Sequence, residues 1–153
     1  AHVYGTNSDE WQNEVNIFSE FLSRMIKIDS NRYTCITADH GVVNIEDQNK
    51  FRLEYDESVK IYGDQRAVYI NGEVEKIEKV FKNVPGYFLE KEEIISLLGT
   101  PTNEHIENFY PEQIFLLDDG NIIFPNHLSA NLKGYHGGIS KTEVSIPLIE
   151  IVN

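Results

Sequence analysis

Cysteine, basic residues and long apolar runs are all scarce in this chain. Cys35 is the only cysteine. That excludes an internal disulfide and agrees with a reducing compartment, so the cytoplasm is favoured. Lys and Arg number 13 against 25 Asp and Glu, a formal charge of −12. This balance argues against a nucleic-acid polymer or an anionic membrane as partner, because both select basic patches. A small phosphate-bearing substrate stays open, since bound metal ions can invert a local field. No apolar run reaches the length of a membrane span. No signal peptide is visible. The chain opens on Ala1-His2 without an initiator Met, so it reads as a processed product or an excised piece, and a missing leader carries little weight. No repeat and no low-complexity tract interrupts it.

What is present suffices for a core. Hydrophobic residues make up 41% and aromatics 11% of 153 residues, which fits a single domain over 1–153. Ser8 can cap a helix that begins at Asp9, with Asp9 and Glu10 where the helix dipole favours them. Trp11, Val15, Phe18, Leu22 and Met25 then form one apolar stripe to about Lys27. Asp29-Ser30-Asn31 breaks it. Tyr33, Cys35 and Thr37 alternate with Thr34 and Ile36 in a strand, and "TADHG" follows at its carboxyl end, where α/β sheets collect functional groups.

The middle reads as short strands at "KFRLEY", "SVKIYG" and "RAVYI", the last closed by Asn71-Gly72. Helices are expected at "EVEKIEKVFKNV" and at "EKEEIISLLG", the second ending at Gly99. "EQIFLLDDGNIIFPN" reads as a hairpin turned by Asp119-Gly120. A final strand is expected from about Val144 to Ile149. The order points to an α/β or α+β fold, with residues 63–125 as an excursion from the main sheet. No linker is evident.

Five histidines are present. His105 and His127 lack acidic or glycine-rich context, and a surface loop is the better reading of each. Asp39-His40-Gly41 places two adjacent ligand types at a strand end, with Gly41 permitting a sharp turn; alone, a chance loop explains it better than a metal site. His136 before Gly137-Gly138 could hold an ion close to backbone, or be an exposed turn histidine. His2 alone is a fraying terminal residue.

The combination says more. "AHVYGTNSDEW", a capped helix, a strand ending in "TADHG", and a terminal "KGYHGGISKTEVSIPLI" occur in that order. Together they resemble the alkaline phosphatase superfamily, and within it the type I phosphodiesterase/nucleotide pyrophosphatase family. The resemblance covers residues 1–47 and 130–151; "GDQRAVYI" between them looks like the Arg-containing strand of bacterial members. It implies an α/β fold: the C-terminal part of an alkaline-phosphatase-like sheet with helices, plus a small α+β excursion.

It also implies a centre of two divalent metal ions, zinc by preference, clamping the attacking and leaving oxygens of a displacement at phosphorus. Asp39 and His40 match the ligand pair of the ion that activates the nucleophile. His136 and His2 match two ligands of the other. An aspartate partner of His2 would fall before Ala1. The family's nucleophilic Thr or Ser also has no counterpart: Thr37 lies in the signature strand, and Ser140 reads as a helix cap near Thr142. The chain is therefore expected to be the C-terminal portion of a hydrolase of small phosphoesters or nucleotides. It should be inactive alone, bind metal weakly or partially, and self-associate through surface left open. Tyr4, Tyr135 and Arg66 could line the site or pack elsewhere. Open alternatives are a metal- or partner-binding module without catalysis, and another superfamily hydrolase such as a phosphomonoesterase, a sulfatase or a PglZ-type protein.

Overall fold

The computed structural model describes residues 1–28, 33–125 and 131–152, and the expected helix break at Asp29-Ser30-Asn31 lies outside them. The chain divides into two compact units, one of residues 1–45, 131–136 and 140–153, the other of residues 46–130 and 137–139.

In the first unit, helix α1 runs Asp9–Ile28. Ser8 caps it as expected: its Oγ accepts the Trp11 N–H at 3.1 Å. Strand β1, Tyr33–Thr37, follows. Strand β10, Leu148–Val152, pairs with β1 antiparallel, Cys35 opposite Glu150. A second antiparallel pair joins β2, Val43–Asn44, to β9, Gly134–Tyr135. Little of this unit is dry. Ile45 and Tyr135 are buried, whereas Phe18, Phe21, Tyr33, Leu148 and Val152 stand in solvent.

The second unit holds the main core. A four-stranded sheet has the order β4-β5-β7-β6, built from Val59–Gly63, Ala67–Gly72, Gln113–Leu117 and Gly86–Phe88. Helix α2, Val74–Phe81, packs on β5, and helix α3, Lys91–Leu98, packs on β7. Side chains alternate across the sheet. Val68, Ile70, Phe115 and Leu117 join Ile77 and Phe81 in one cluster, while Ile114 and Leu116 join Ile94 in another. Strand β7 is therefore covered on both faces, which is why it reads as an unbroken apolar run. Glu90 and Glu93 form a reciprocal capping box at the start of α3, satisfying end donors that would otherwise be orphaned. A short helix α4 spans Glu104–Glu107 and carries His105 on its exposed side.

Three expectations need correction. "EQIFLLDDGNIIFPN" does reverse direction, with the Asn121 N–H bonded to the Asp118 carbonyl, but it is no hairpin. Strand β7 pairs with β5 and β6, and strand β8, Ile122–Pro125, pairs in parallel with β3, Lys50–Leu53. Both edges of β7 are taken by β5 and β6, so β8 has no edge of β7 to pair with. Second, β5 continues through Asn71 and Gly72, because Gly72 faces Val59 in register. Third, the last strand starts later than Val144: a helical turn α5, Lys141–Val144, comes first. Among the described residues no helix is long and apolar enough to cross a membrane.

Candidate metal centre

His2, His40 and His136 come from three distant points of the chain and converge in the first unit, each half-buried. Their candidate donor nitrogens all lie within 4.8 Å of one another. The rings of His40 and His136 stack at 3.6 Å and 18°, and His2 approaches His136 edge-on at 5.3 Å.

Local backbone sets each ring. His2 is not a frayed terminus. Its carbonyl accepts the Lys133 and Gly134 N–H groups at 2.8 and 3.0 Å, and its Nδ1 lies 2.7 Å from the Gly134 carbonyl. His40 Nδ1 lies 2.7 Å from the Gly41 carbonyl. A carbonyl oxygen only accepts, so both Nδ1 atoms are the protonated donors, and both Nε2 lone pairs are left to face a ligand. Metal-bound histidines are oriented in this way.

Asp39 stands outside the three-donor group. Its Oδ1 accepts the His40 backbone N–H at 3.1 Å, and its Oδ2 is 3.7 Å from His40 Nε2. The second distance is too long for a hydrogen bond. It is close to the ~3.3 Å that separates two donors on one tetrahedral zinc with bonds of ~2.0 Å. The carboxylate is largely exposed. Gathering the three imidazoles onto one ion asks each to shift by on the order of 1 Å on the same bond lengths. A set of imidazoles beside a carboxylate suits zinc and similar divalent ions.

The remaining sequence candidates resolve simply. Tyr135 is buried and donates its hydroxyl to the Leu132 carbonyl at 3.0 Å. Arg66, in the second unit, is 1% exposed, donates to the Asn121 carbonyl and lies 3.8 Å from Asp119. Tyr4 is exposed. His105 stacks its edge on Phe109 on the surface, and His127 lies outside the described residues. Ser140 occupies the N-cap position of α5 but makes no side-chain cap bond; its hydroxyl donates to Glu143 Oε2. Glu143, which belongs to the terminal motif that carries the resemblance, is only 3% exposed, and its bond to Ser140 was not foreseen. The Ser-x-x-Glu spacing was the available signal.

The comparisons place this architecture in a class. Murine ectonucleotide pyrophosphatase/phosphodiesterase 5, an inactive form in complex with AMP, superposes with a TM-score of 0.70 at 20% identity, over 96% of this chain and 42% of that one. The human enzyme of the same name gives 0.72 at 17%, over 97% and 43%. Phosphonoacetate hydrolase from Sinorhizobium meliloti 1021, in complex with phosphonoacetate, gives 0.66 at 14%, over 97% and 42%. The fold is that of the alkaline phosphatase superfamily, and the chain spans less than half the length of these structures. No curated protein matches it in sequence. Residues 5–151 match the family described as the BREX system PglZ alkaline phosphatase-like domain, and the chain belongs to that family.

Proposed function

We propose that this chain supplies part of a two-metal centre for phosphoester hydrolysis of the alkaline phosphatase type. The convergence of His2, His40 and His136 carries the reading. His2 and His136 would serve one ion, and His40 with Asp39 the other. The stack of His40 on His136 sets the two ligand groups side by side, as ions ~4 Å apart require. Zinc is the ion the donor set suits. Bound there, it would neutralise charge on a phosphoryl oxygen and hold the attacking and leaving oxygens in line. The chain's own part is narrower. The Gly134 and Gly41 carbonyls fix the tautomers of His2 and His40, and Asp39 brings a negative charge that offsets the ions'.

The substrate would be a small phosphoester or nucleotide. No hydroxyl of the motifs is offered as nucleophile. Thr37 Oγ1 turns to the Ala38 carbonyl at 3.5 Å, and Ser140 is committed to Glu143. The chain alone should therefore bind metal weakly and turn over no substrate. The exposed apolar side chains of α1 and of the β1–β10 pair, among them Phe18, Phe21, Leu148 and Val152, favour a second element of the reading, association of this surface with itself. Calorimetric titration of zinc tests the centre. The intact chain should bind, and His2→Ala, His40→Ala and His136→Ala should each weaken binding. Equal binding by all four would leave a relic with no metal role, and turnover of a nitrophenyl phosphodiester by the chain alone would refute the assignment of the nucleophile elsewhere.

A further inference from the structure

Glu143 is a carboxylate with 3% exposure in the more open of the two units, and it is outside the three-donor group. Burying such a group costs free energy unless its oxygens are engaged, so its place calls for a reason. Its side chain accepts the Ser140 hydroxyl. Its backbone carbonyl accepts the Gly41 N–H at 2.7 Å. Gly41 directly follows His40, and Glu143 lies in the helical turn that comes shortly after His136.

The two turns meet backbone to backbone. A Cβ on Gly41 would fall 1.8 Å from the Thr142 carbonyl oxygen and 3.1 Å from the Glu143 Cα. Gly41 is not in the positive-φ region, so glycine is required there for space rather than for conformation. The Ser140–Glu143 bond closes the helical turn upon itself, and the Glu143 and Val144 N–H groups return to the Ser140 carbonyl at 2.9 and 3.0 Å. A closed turn presents the Glu143 carbonyl at a fixed point, and that point receives Gly41.

We propose that Glu143 is a positioning residue for the histidine centre. It holds the turn after His136 in the shape that docks the turn after His40, and so sets the spacing of the two stacked imidazoles. The inference rests on the metal-centre reading for its consequence, but the joint itself can be measured without metal.

Amide hydrogen exchange at Gly41 in the metal-free chain reads the joint. Zinc titration and the visible spectrum of bound cobalt read its effect on the ligands. Glu143→Ala should speed Gly41 exchange and raise the zinc dissociation constant by roughly 10- to 100-fold, the range for groups that orient ligands, and it should alter the cobalt bands. Glu143→Gln keeps an acceptor for Ser140 and should restore all three readouts to near wild type. Gly41→Ala should weaken zinc as Glu143→Ala does. If Glu143→Ala does not fold, Glu143→Asp, which withdraws the carboxylate by one methylene, is read in its place. Wild-type Gly41 exchange and zinc affinity in the Ala or Asp variant would overturn the proposal, as would a Gln variant as impaired as Ala. If the wild-type chain binds no zinc, the metal-centre reading fails, and the exchange measurement still decides whether Glu143 holds the joint.

Discussion

Zinc should stabilise one unit of this chain by an amount set by occupancy. His2, His40 and His136 all belong to the first unit, and the folded form alone brings them together. A ligand that binds only the folded state adds RT ln(1 + [L]/Kd), about 2.7 kcal/mol at a hundredfold excess over Kd. For a cooperative unit below ~100 residues each kcal/mol moves the midpoint by roughly 4–8 °C, so the shift should be roughly 10–20 °C. Trp11 is the only tryptophan and sits on α1 in the same unit, so its fluorescence reports that unit during heating. A chelator should abolish the shift. In His136→Ala the same free zinc should give a small fraction of it, because the ion that His2 and His136 would share loses one of its two imidazoles and binds far more weakly. A Trp11 midpoint indifferent to zinc, or an equal shift in a variant lacking all three imidazoles, would refute the reasoning.

Other perturbations probe other parts. Ile114→Ala, at a fully buried position of β7, should cost about 2–5 kcal/mol in chemical denaturation of the second unit; a loss below about 1 kcal/mol would mean that the sheet is less well packed than its geometry implies. Gly137→Ala should destabilise the chain. The residue has φ +99°, and a Cβ there would meet Asp64 Cγ at 2.0 Å. The backbone strain alone is of order 1–3 kcal/mol, and urea unfolding measures it. The Tyr33 hydroxyl donates to Glu150, and that bond raises its pKa above the ordinary tyrosine value. Its contribution is thus fully present below the unfolded tyrosine pKa and lost as pH rises through the folded one. Burial also raises the Tyr62 pKa, so ultraviolet titration should show Tyr33 and Tyr62 ionising late, with one of the two returning to the ordinary range in Glu150→Gln; no change would sink the assignment. Leu148→Lys, at a strongly exposed position of β10, should reduce any concentration-dependent association seen by sedimentation; undiminished association would place the contact elsewhere.

Which of these features could be read in the residues depends on whether their cause is local. Helix α1 was legible because both its determinants are short-range: the Ser8 cap and an apolar stripe at helical period. The capping box of α3 and the stop at Gly99 are of the same kind. The pairing of β7 was not legible. An Asp-Gly turn dictates a reversal, but which strands then bond depends on which edges are already taken, and those of β7 go to β5 and β6 rather than to the next strand. Strands β2 and β9 carry no period at all, being two residues each. They exist because the His2 carbonyl and the Ile45 N–H find partners at residues 133 and 134.

The same distinction governs the candidate centre. His2, His40 and His136 could be singled out by type and by motif, yet nothing near them in sequence states that they meet. Of the glycines beside them, Gly41 was read as permitting a sharp turn. At Gly41 that reading names the right residue for the wrong cause. Its backbone does not need a left-handed conformation; it needs the absence of a side chain, because the carbonyl of Thr142 occupies the place where a Cβ would go. A close approach of this kind is a property of two segments a hundred residues apart and leaves only one letter in each. Glu143 is the complementary case. In sequence it stands in the terminal motif that carries the resemblance, but its part there shows only in its burial and in the bond of its carbonyl to the Gly41 N–H. A substitution at either residue should therefore act on the spacing of the histidines without touching a histidine.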